Sequence, residues 1–329
     1  MKLKKFILSG LCVALPLLSL SSNAVAKKVV LKLAHNLDQT HVVHQALDKM
    51  AKEVQEKSNG ELKIRLYPSG QMGGPRETIE LIQNDALDMT KASASEIESF
   101  VKEFSIFSIP YLFDNDEHFK KVLFGDIAKQ ITDKTANSGF NVLASYVAGT
   151  RSFYAKKPIH SPADIKGMKI RVVSTPTTNK LIELLGGSPA PIPFGEVYTA
   201  LQQGVIDGAE NNIPSYEQTR QVEVAKYYIE DQHTSVPDYL IISSKTWDKL
   251  DENQRQILKE AAKNSEIYQQ ELWDKEVTKA REAAQKLGAT FIQVDKQPFR
   301  EALKPLYDDF AKNPDLSTII EAIRMQGNQ

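Results

Sequence analysis

Apolar residues follow two different periods in the first part of the chain. The stretches "VVLKLA" (29–34) and "LKIRLY" (62–67) alternate as β-strands do, whereas "VHQALDKMAKEVQEKS" (43–58) repeats apolar residues every three or four positions, as a helix does. A helix between two strands predicts a right-handed crossover and parallel pairing of the strands. A helix at 76–84 and a strand at 89–92 extend the unit, so the pattern predicts an α/β domain.

A second α/β unit is predicted further along the chain. Its elements are, in order, strands at 141–147 and 169–173, a helix beginning at Thr175, a proline-rich extended passage at 189–194, a helix at 195–203 and a segment at 205–212 that leads into a loop, with a strand-to-loop junction at 207–212. Two doubly wound units predict two lobes, with a ligand cleft at the carboxyl ends of their strands. We assign lobe I to 27–148 plus about 237–276 and lobe II to 149–236 plus about 277–329, with crossings near 147–149 and 235–237.

The last third of the chain contains a long segment without glycine or proline. It runs from Asp251 to Lys286, with a capping pattern at Asp251 and Gln254 and a stop signal at Gly288. A continuous helix of this length would reach roughly 50 Å and could brace both lobes. A break near Asn264 and Ser265, which would give two helices, is the alternative.

The amino-terminal segment has the pattern of a secretory signal peptide. Three lysines precede an apolar run at 6–20, and small residues at Ala24 and Ala26 predict cleavage after Ala26. An uncleaved membrane anchor is the alternative, although the run is short and contains Pro16. Cleavage would remove Cys12, the single cysteine, so the predicted mature chain is periplasmic and has no disulfide.

Charge and length narrow the class of protein. The 329 residues suffice for about two domains. Without the three signal-peptide lysines, 38 of the 41 basic residues remain against 42 acidic ones, which gives a formal charge of −4. This balance does not suggest a nucleic-acid partner.

Sequence motifs of enzymes are absent from the chain, which contains no G-x-S-x-G, H-E-x-x-H, Walker or G-x-G-x-x-G pattern. His35, His41 and His44 lie close enough in sequence to raise a metal site, but no cysteine or regular carboxylate spacing accompanies them. A secreted hydrolase or lyase that uses His41 or His44 with Glu77 is the alternative of a different class.

Two arginines are the stronger candidates for a binding site. Arg151 in "AGTR" follows the strand predicted at 141–147, and Arg171 in "KIRV" lies near the end of the strand predicted at 169–173, so both would lie near the cleft. A guanidinium group matches a carboxylate with two parallel hydrogen bonds and stays charged at any working pH. Alternatively, either arginine forms a salt bridge at the surface or between the lobes. "DGAENN" (207–212) could bind hydroxyls or form a capped turn, and Phe194 could line a ligand or belong to the core.

Several longer motifs together resemble one family. They are "NGELKIRLYPSGQ", "IPYLF", "AGTR", "DIKGMKIRV", "PIPFGEVYTALQQGVIDGAEN" and "YYIEDQHT". This set is similar to the DctP-type extracytoplasmic solute receptors of tripartite ATP-independent periplasmic (TRAP) transporters. The resemblance implies a periplasmic-binding-protein-like fold and a receptor without catalysis, cofactor or metal. It also implies that the receptor delivers an organic acid to the small and large membrane permease subunits.

The resemblance also implies roles for individual residues. Arg171 corresponds to the arginine that binds the ligand carboxylate, Arg151 to its partner, Asn211 to the asparagine of "DGxEN" and Phe194 to the pocket aromatic. Further expected ligand contacts are Asn36, His41, Glu77, Lys91, Ser93 and Asp238.

The residues around Lys91 and Ser93 depart from the sialic-acid-binding members and are more similar to those that bind hexuronates. A hexuronate such as glucuronate or galacturonate is therefore the predicted ligand. A C4-dicarboxylate is the alternative, and a sensor that signals to a membrane kinase would have the same fold.

Overall fold

The computed structural model describes residues 28–327, so the predicted signal peptide and Cys12 lie outside the described residues. Its strands are β1 Val29–Ala34, β2 Leu62–Tyr67, β3 Met89–Ser93, β4 Phe140–Tyr146, β5 Thr150–Ala155, β6 Lys169–Val172, β7 Ser188–Pro191, β8 Gly208–Asn211, β9 Tyr227–Ile229, β10 Thr234–Ser235, β11 Asp238–Ser243 and β12 Thr290–Ile292.

The α-helices lie between and after these strands. They are α1 Val42–Lys57, α2 Pro75–Gln83, α3 Ala94–Ile97, α4 Asp116–Leu123, α5 Asp126–Thr132, α6 Pro162–Ile165, α7 Pro176–Leu184, α8 Val197–Gln203, α9 Ile213–Gln218, α10 Ser244–Lys249, α11 Glu252–Lys286, α12 Gln297–Ala311 and α13 Pro314–Gly327. Short 3₁₀ helices occupy Lys102–Ser108, Asp133–Ser138, Phe194–Glu196 and Gln221–Glu223. Between residues 28 and 327, no helix combines the length and the apolar character that crossing a membrane requires.

The first sheet has the strand order β2-β1-β3-β11-β4. β1 pairs in parallel with β2 and with β3, which confirms the parallel pairing predicted from the sequence. β11 returns late in the chain and pairs antiparallel with both β3 and β4. The helix α1 buries Ala46, Met50 and Val54 against this sheet, as the helical period predicts.

The second sheet has the strand order β12-β9-β5-β8-β6-β7, with β10 paired to β5. One prediction is wrong here. The strand predicted at 141–147 is β4, which belongs to the first sheet because it pairs with β11. The strand-to-loop junction predicted at 207–212 coincides with β8, a fully buried central strand between β5 and β6. Its polar sequence "GAEN" lies in the interior because partners there satisfy its polar side chains.

The long helix α11 is continuous, so the prediction of a single helix is confirmed and the predicted break is absent. The Asp251 side chain accepts from the backbone of Gln254, and the Gln254 side chain accepts from the backbone of Asp251, which forms a capping box. The residues at the suspected break instead bind neighbouring elements: Asn264 donates to Glu53 of α1 and Ser265 bonds Tyr146 of β4.

The same helix contacts both sheets. Near its middle, the Gln269 side chain bonds both the backbone N–H and the carbonyl of Val147, at 3.1 and 2.7 Å. Further along, Arg281 pairs with Glu230, which follows β9 of the second sheet. The helix therefore runs alongside the residues at which the chain passes from the first sheet to the second.

Candidate binding site

The topology gathers polar residues at facing edges of the two sheets. In the first sheet, β1 and β3 end at this edge and the antiparallel β11 begins there, with Asp238 paired to Ser93. In the second sheet, β6 and β8 end at the edge and the antiparallel β5 begins there, with Ser152 paired to Asn211. A cavity lies between the two edges.

Arg171 lies in β6 near the end of the strand, as the strand predicted at 169–173 implies, and beside Ala209 of β8. Its side chain is only 4% exposed. Its Nε donates to the carbonyl of Ile192 at 2.8 Å, and its guanidinium carbon lies 5.8 Å from the centre of the Phe194 ring. Among residues 28–327, no carboxylate lies within 4.0 Å of this guanidinium group.

Burial therefore has a clear electrostatic effect on Arg171. Removal from water lowers the pKa of Arg171 from its ordinary value, with the more distant Glu210 acting in the opposite direction. A buried cation without a paired carboxylate is costly, and an anion at the guanidinium edge would remove much of that cost. The site thus provides a rigid, positively charged fork that faces the cavity.

Arg151 also lies within a strand, β5, but its charge is already neutralised. Its Nε and Nη2 both bond the carboxylate of Glu210, and Nη2 also donates to the Glu210 carbonyl at 2.9 Å. Its Nη1 donates to Oδ1 of Asn211 at 2.9 Å. Burial raises the pKa of Glu210, but Arg151 and His233 outweigh burial and lower it to about 2. Arg151 and Glu210 therefore form a buried ion pair that positions Asn211.

A second buried ion pair lies on the side of the first sheet. Nζ of Lys91 on β3 is 2.9 Å from Oδ1 of Asp238 on β11, and both side chains are almost fully buried. Ser93 caps α3 by accepting from the backbone of Glu96, while the Glu96 carboxylate accepts from the backbone of Ser93. The Oδ1 atom of Asn36 is buried and has no hydrogen-bond partner among residues 28–327.

His41 caps the start of α1. Its Nδ1 accepts from the backbone N–H of Val43 at 3.1 Å, so the hydrogen of the neutral ring is on Nε2. Burial, with Lys91 nearby, lowers the pKa of His41 to about 3. His35 bonds His44 at 3.0 Å. Across residues 28–327, no three His, Cys, Asp or Glu side chains are grouped as a metal site requires.

The cavity brings together nine of the ten residues predicted from the sequence. These are Asn36, His41, Lys91, Ser93, Arg151, Arg171, Phe194, Asn211 and Asp238. Glu77 is separate from them: it lies in the first turn of α2 with an exposed side chain and does not line the cavity. Its assignment as a contact came from the resemblance alone, without evidence for the direction of its side chain.

Sequence reasoning missed the residues that set the charge of the site. Glu96 lines the cavity, Glu210 pairs with Arg151, and Nε2 of His233 lies 3.7 Å from the Glu210 carboxylate. Glu210 belongs to the polar segment 207–212 but was not recognised as the partner of Arg151, because no alternation of polarity along Gly208–Asn211 shows which way its side chains face.

Comparison with known proteins assigns the class. Residues 33–313 match the DctP family, described as bacterial extracellular solute-binding protein, family 7. The chain belongs to this family of solute-binding receptors, which are not enzymes. A curated relative, the uncharacterized protein YiiZ of Salmonella typhimurium, is 39% identical over 317 residues, covering 95% of this chain and 97% of the relative.

Solved structures of the same class are also similar. A TRAP periplasmic solute-binding protein from Anaerococcus prevotii with bound α/β-D-glucuronate is 37% identical, with a TM-score of 0.90 over 92% of this chain and 99% of that chain. A TRAP periplasmic solute-binding protein from Sulfitobacter with bound β-D-galacturonate is 32% identical, with a TM-score of 0.88 over 90% of this chain and 99% of that chain. The predicted fold class, two α/β lobes with a long helix, is thereby confirmed.

Proposed function

We propose that this protein binds a hexuronate, D-glucuronate or D-galacturonate, and delivers it to the small and large subunits of a TRAP membrane permease. The observation that carries this proposal is the Arg171 guanidinium group, buried at the cavity without a carboxylate partner among residues 28–327. The carboxylate of a sugar acid fits that group with two parallel hydrogen bonds. Bound glucuronate and galacturonate in the two similar structures agree with this ligand class.

The other charges of the cavity favour a sugar acid over a C4-dicarboxylate. A second carboxylate would need a second available cation, but Glu210 neutralises Arg151 and Asp238 neutralises Lys91. Binding a dicarboxylate would therefore bring its second charge beside two ion pairs, without a net positive charge to balance it.

The polar groups of the cavity other than the two arginines suit the hydroxyl groups of a sugar ring. Asn36 offers a buried oxygen as an acceptor, Asp238 has a carboxylate beside Lys91, and neutral His41 carries a hydrogen on Nε2. Hydroxyl groups both donate and accept, so a mixture of donors and acceptors matches them well. Phe194, next to Arg171, adds an apolar surface for the ring carbons.

Calorimetry with competing acids tests this ligand assignment. The mature chain is unfolded and refolded to remove any bound metabolite, then titrated with D-glucuronate, D-galacturonate, succinate and N-acetylneuraminate. We expect one or both hexuronates to bind at least about 100-fold more tightly than succinate, because only they use the neutral polar groups. Tighter binding of succinate would refute the hexuronate assignment and leave membership of the family intact.

We also propose that the mature receptor is periplasmic and begins at Lys27, after cleavage of the predicted signal peptide. The family description is extracellular, which supports export of the chain. Intact-mass measurement of protein recovered from the periplasm tests the cleavage position. A mass that includes residues 1–26 would contradict it.

A further inference from the structure

Glu98 connects elements of the two different sheets outside the ligand cavity. It follows α3, which begins directly after β3 of the first sheet. Its Oε1 accepts from the hydroxyl group of Thr177 at 2.5 Å and from the backbone N–H of Thr177 at 3.4 Å. Thr177 lies in the first turn of α7, after β6 of the second sheet. Glu98 does not line the ligand cavity.

The position of the carboxyl group at a helix start is energetically favourable. The first N–H groups of a helix have no partner within the helix, and the helix dipole places partial positive charge there. Thr175 supplies the cap within the chain by accepting from the backbone of Thr178 at 3.2 Å. Glu98 supplies a further acceptor from the opposite lobe.

The rest of the carboxyl group has a poor environment. Glu98 is 9% exposed, and its Oε2 is buried without a hydrogen-bond partner among residues 28–327. Burial raises the pKa of Glu98, while Thr177 and the nearby hydroxyl groups of Ser108 and Thr175 act in the opposite direction. Glu98 and Thr177 belong to elements of different sheets, so separation of the lobes would break these bonds and expose the carboxyl group to water.

The start of α7, which contains Thr177, is hydrogen-bonded to the chain just after β6, the strand that contains Arg171. After β6, the backbone N–H of Thr175 bonds the carbonyl of Val173 at 2.9 Å, and the Thr178 hydroxyl group bonds the same carbonyl at 2.5 Å. These bonds fix the start of α7 relative to the end of β6. A ligand that draws Arg171 toward the first sheet therefore also draws Thr177 toward Glu98.

We infer that Glu98 and Thr177 form an interlobe latch, which stabilises the closed receptor without touching the ligand. A contact present only in the closed state adds its free energy to the apparent affinity for ligand when the open state predominates without ligand. The latch thus sets how much ligand is needed for closure, and it acts whichever acid the cavity binds.

Double electron–electron resonance between the lobes tests the latch. The predicted mature chain has no cysteine, so cysteines introduced at the exposed positions Lys52 and Gln202 can carry nitroxide labels specifically. The distance is followed during titration with D-glucuronate, and in parallel with succinate and N-acetylneuraminate. We expect Glu98→Ala to need roughly tenfold more ligand for half-closure than the parent protein.

Matched variants separate the latch from a general loss of structure. Glu98→Gln keeps an acceptor oxygen and is expected to lie between the parent and Glu98→Ala. Thr177→Val removes the hydroxyl group, and combining it with Glu98→Ala is expected to add little, because one contact is lost only once. Glu183→Ala, which removes an exposed carboxyl group from the last turn of α7, is expected to match the parent.

The latch is overturned if Glu98→Ala and the parent give the same distances without ligand and at every ligand concentration. Closure of the parent on succinate instead of D-glucuronate would refute the proposed ligand. The latch would then be tested by comparing the parent with Glu98→Ala in the succinate titration. If the parent closes on none of the three acids, the closed fraction without ligand decides: it falls in Glu98→Ala if the latch exists and is unchanged if it does not.

Discussion

Two arginines at the same cavity differ in what surrounds them. Arg151 donates hydrogen bonds from two nitrogens to the Glu210 carboxylate, which neutralises its charge. Within residues 28–327, Arg171 donates only one, from Nε to a carbonyl oxygen. The residue type is identical, but only Arg171 has a charge available for a ligand. The residue pattern identified both residues as candidates, and only the family resemblance distinguished Arg171 as the carboxylate-binding residue. The pattern alone could not rank them, because it does not show that Glu210 pairs with Arg151.

His233 extends the buried network behind Arg151. Its Nδ1 is 2.7 Å from Asp231, and its Nε2 is 3.7 Å from Glu210. Burial lowers the pKa of His233, but the two carboxylates outweigh burial and raise it to about 9. Because this value lies above the ordinary 6.5, the imidazolium form stabilises the fold, fully below pH 6.5 and progressively less as the pH rises through about 9.

Unfolding by urea between pH 6.5 and 9.5 tests this linkage. We expect the free energy of unfolding to fall across this range by up to about 3 kcal/mol more in the parent protein than in His233→Gln. Both proteins carry the same other titrating groups, so the difference between them isolates His233. Parallel pH profiles would show that His233 is neutral in the folded protein.

At the scale of elements, predictability followed the surroundings of each segment. β1, α1 and β2 were predicted because each has one face in the core and one in water, which produces a clear period. β8 is buried on every residue and carries Glu210 and Asn211, so no alternation of polarity marks it, and only a strand-to-loop junction was predicted there. β5 was missed, since most of its residues are buried.

The start of α11 provides a prediction at this scale. Oδ1 of Asp251 accepts from the backbone of Gln254 at 2.8 Å, which satisfies one of the unpaired N–H groups of the helix. We expect Asp251→Ala to lower the free energy of unfolding by about 1 kcal/mol, measured by urea denaturation. Asp248→Ala, at an exposed acid of α10, is the control. An equal loss in both variants would argue against the cap.

At the scale of the whole molecule, the two sheets are joined by few chain crossings. β4 leads to β5 through residues 147–149, and β10 leads to β11 through residues 236–237. Gly149 in the first crossing has a φ of 61° and lies against Trp273 of α11, where a side chain would approach the indole ring within 3.1 Å. We propose lobe I as 27–148 plus about 237–276, lobe II as 149–236 plus about 277–329, and these crossings as hinges.

Small-angle scattering tests movement about these hinges. We expect the radius of gyration to fall when the receptor binds D-glucuronate, because the lobes close over the ligand. The refolded, ligand-free protein is the reference. An unchanged radius at saturating ligand, with binding verified by calorimetry, would contradict hinge closure.

The central claim is that Arg171 binds the carboxylate of the ligand, and calorimetry on Arg171 variants tests it most directly. We expect Arg171→Ala to weaken D-glucuronate binding by about 2 to 5 kcal/mol, and Arg171→Lys to recover only part of it, because lysine keeps the charge but not the planar fork. Arg65→Ala, at an exposed arginine on β2, should bind as the parent does. Folded Arg171→Ala that binds D-glucuronate with parental affinity would contradict the account.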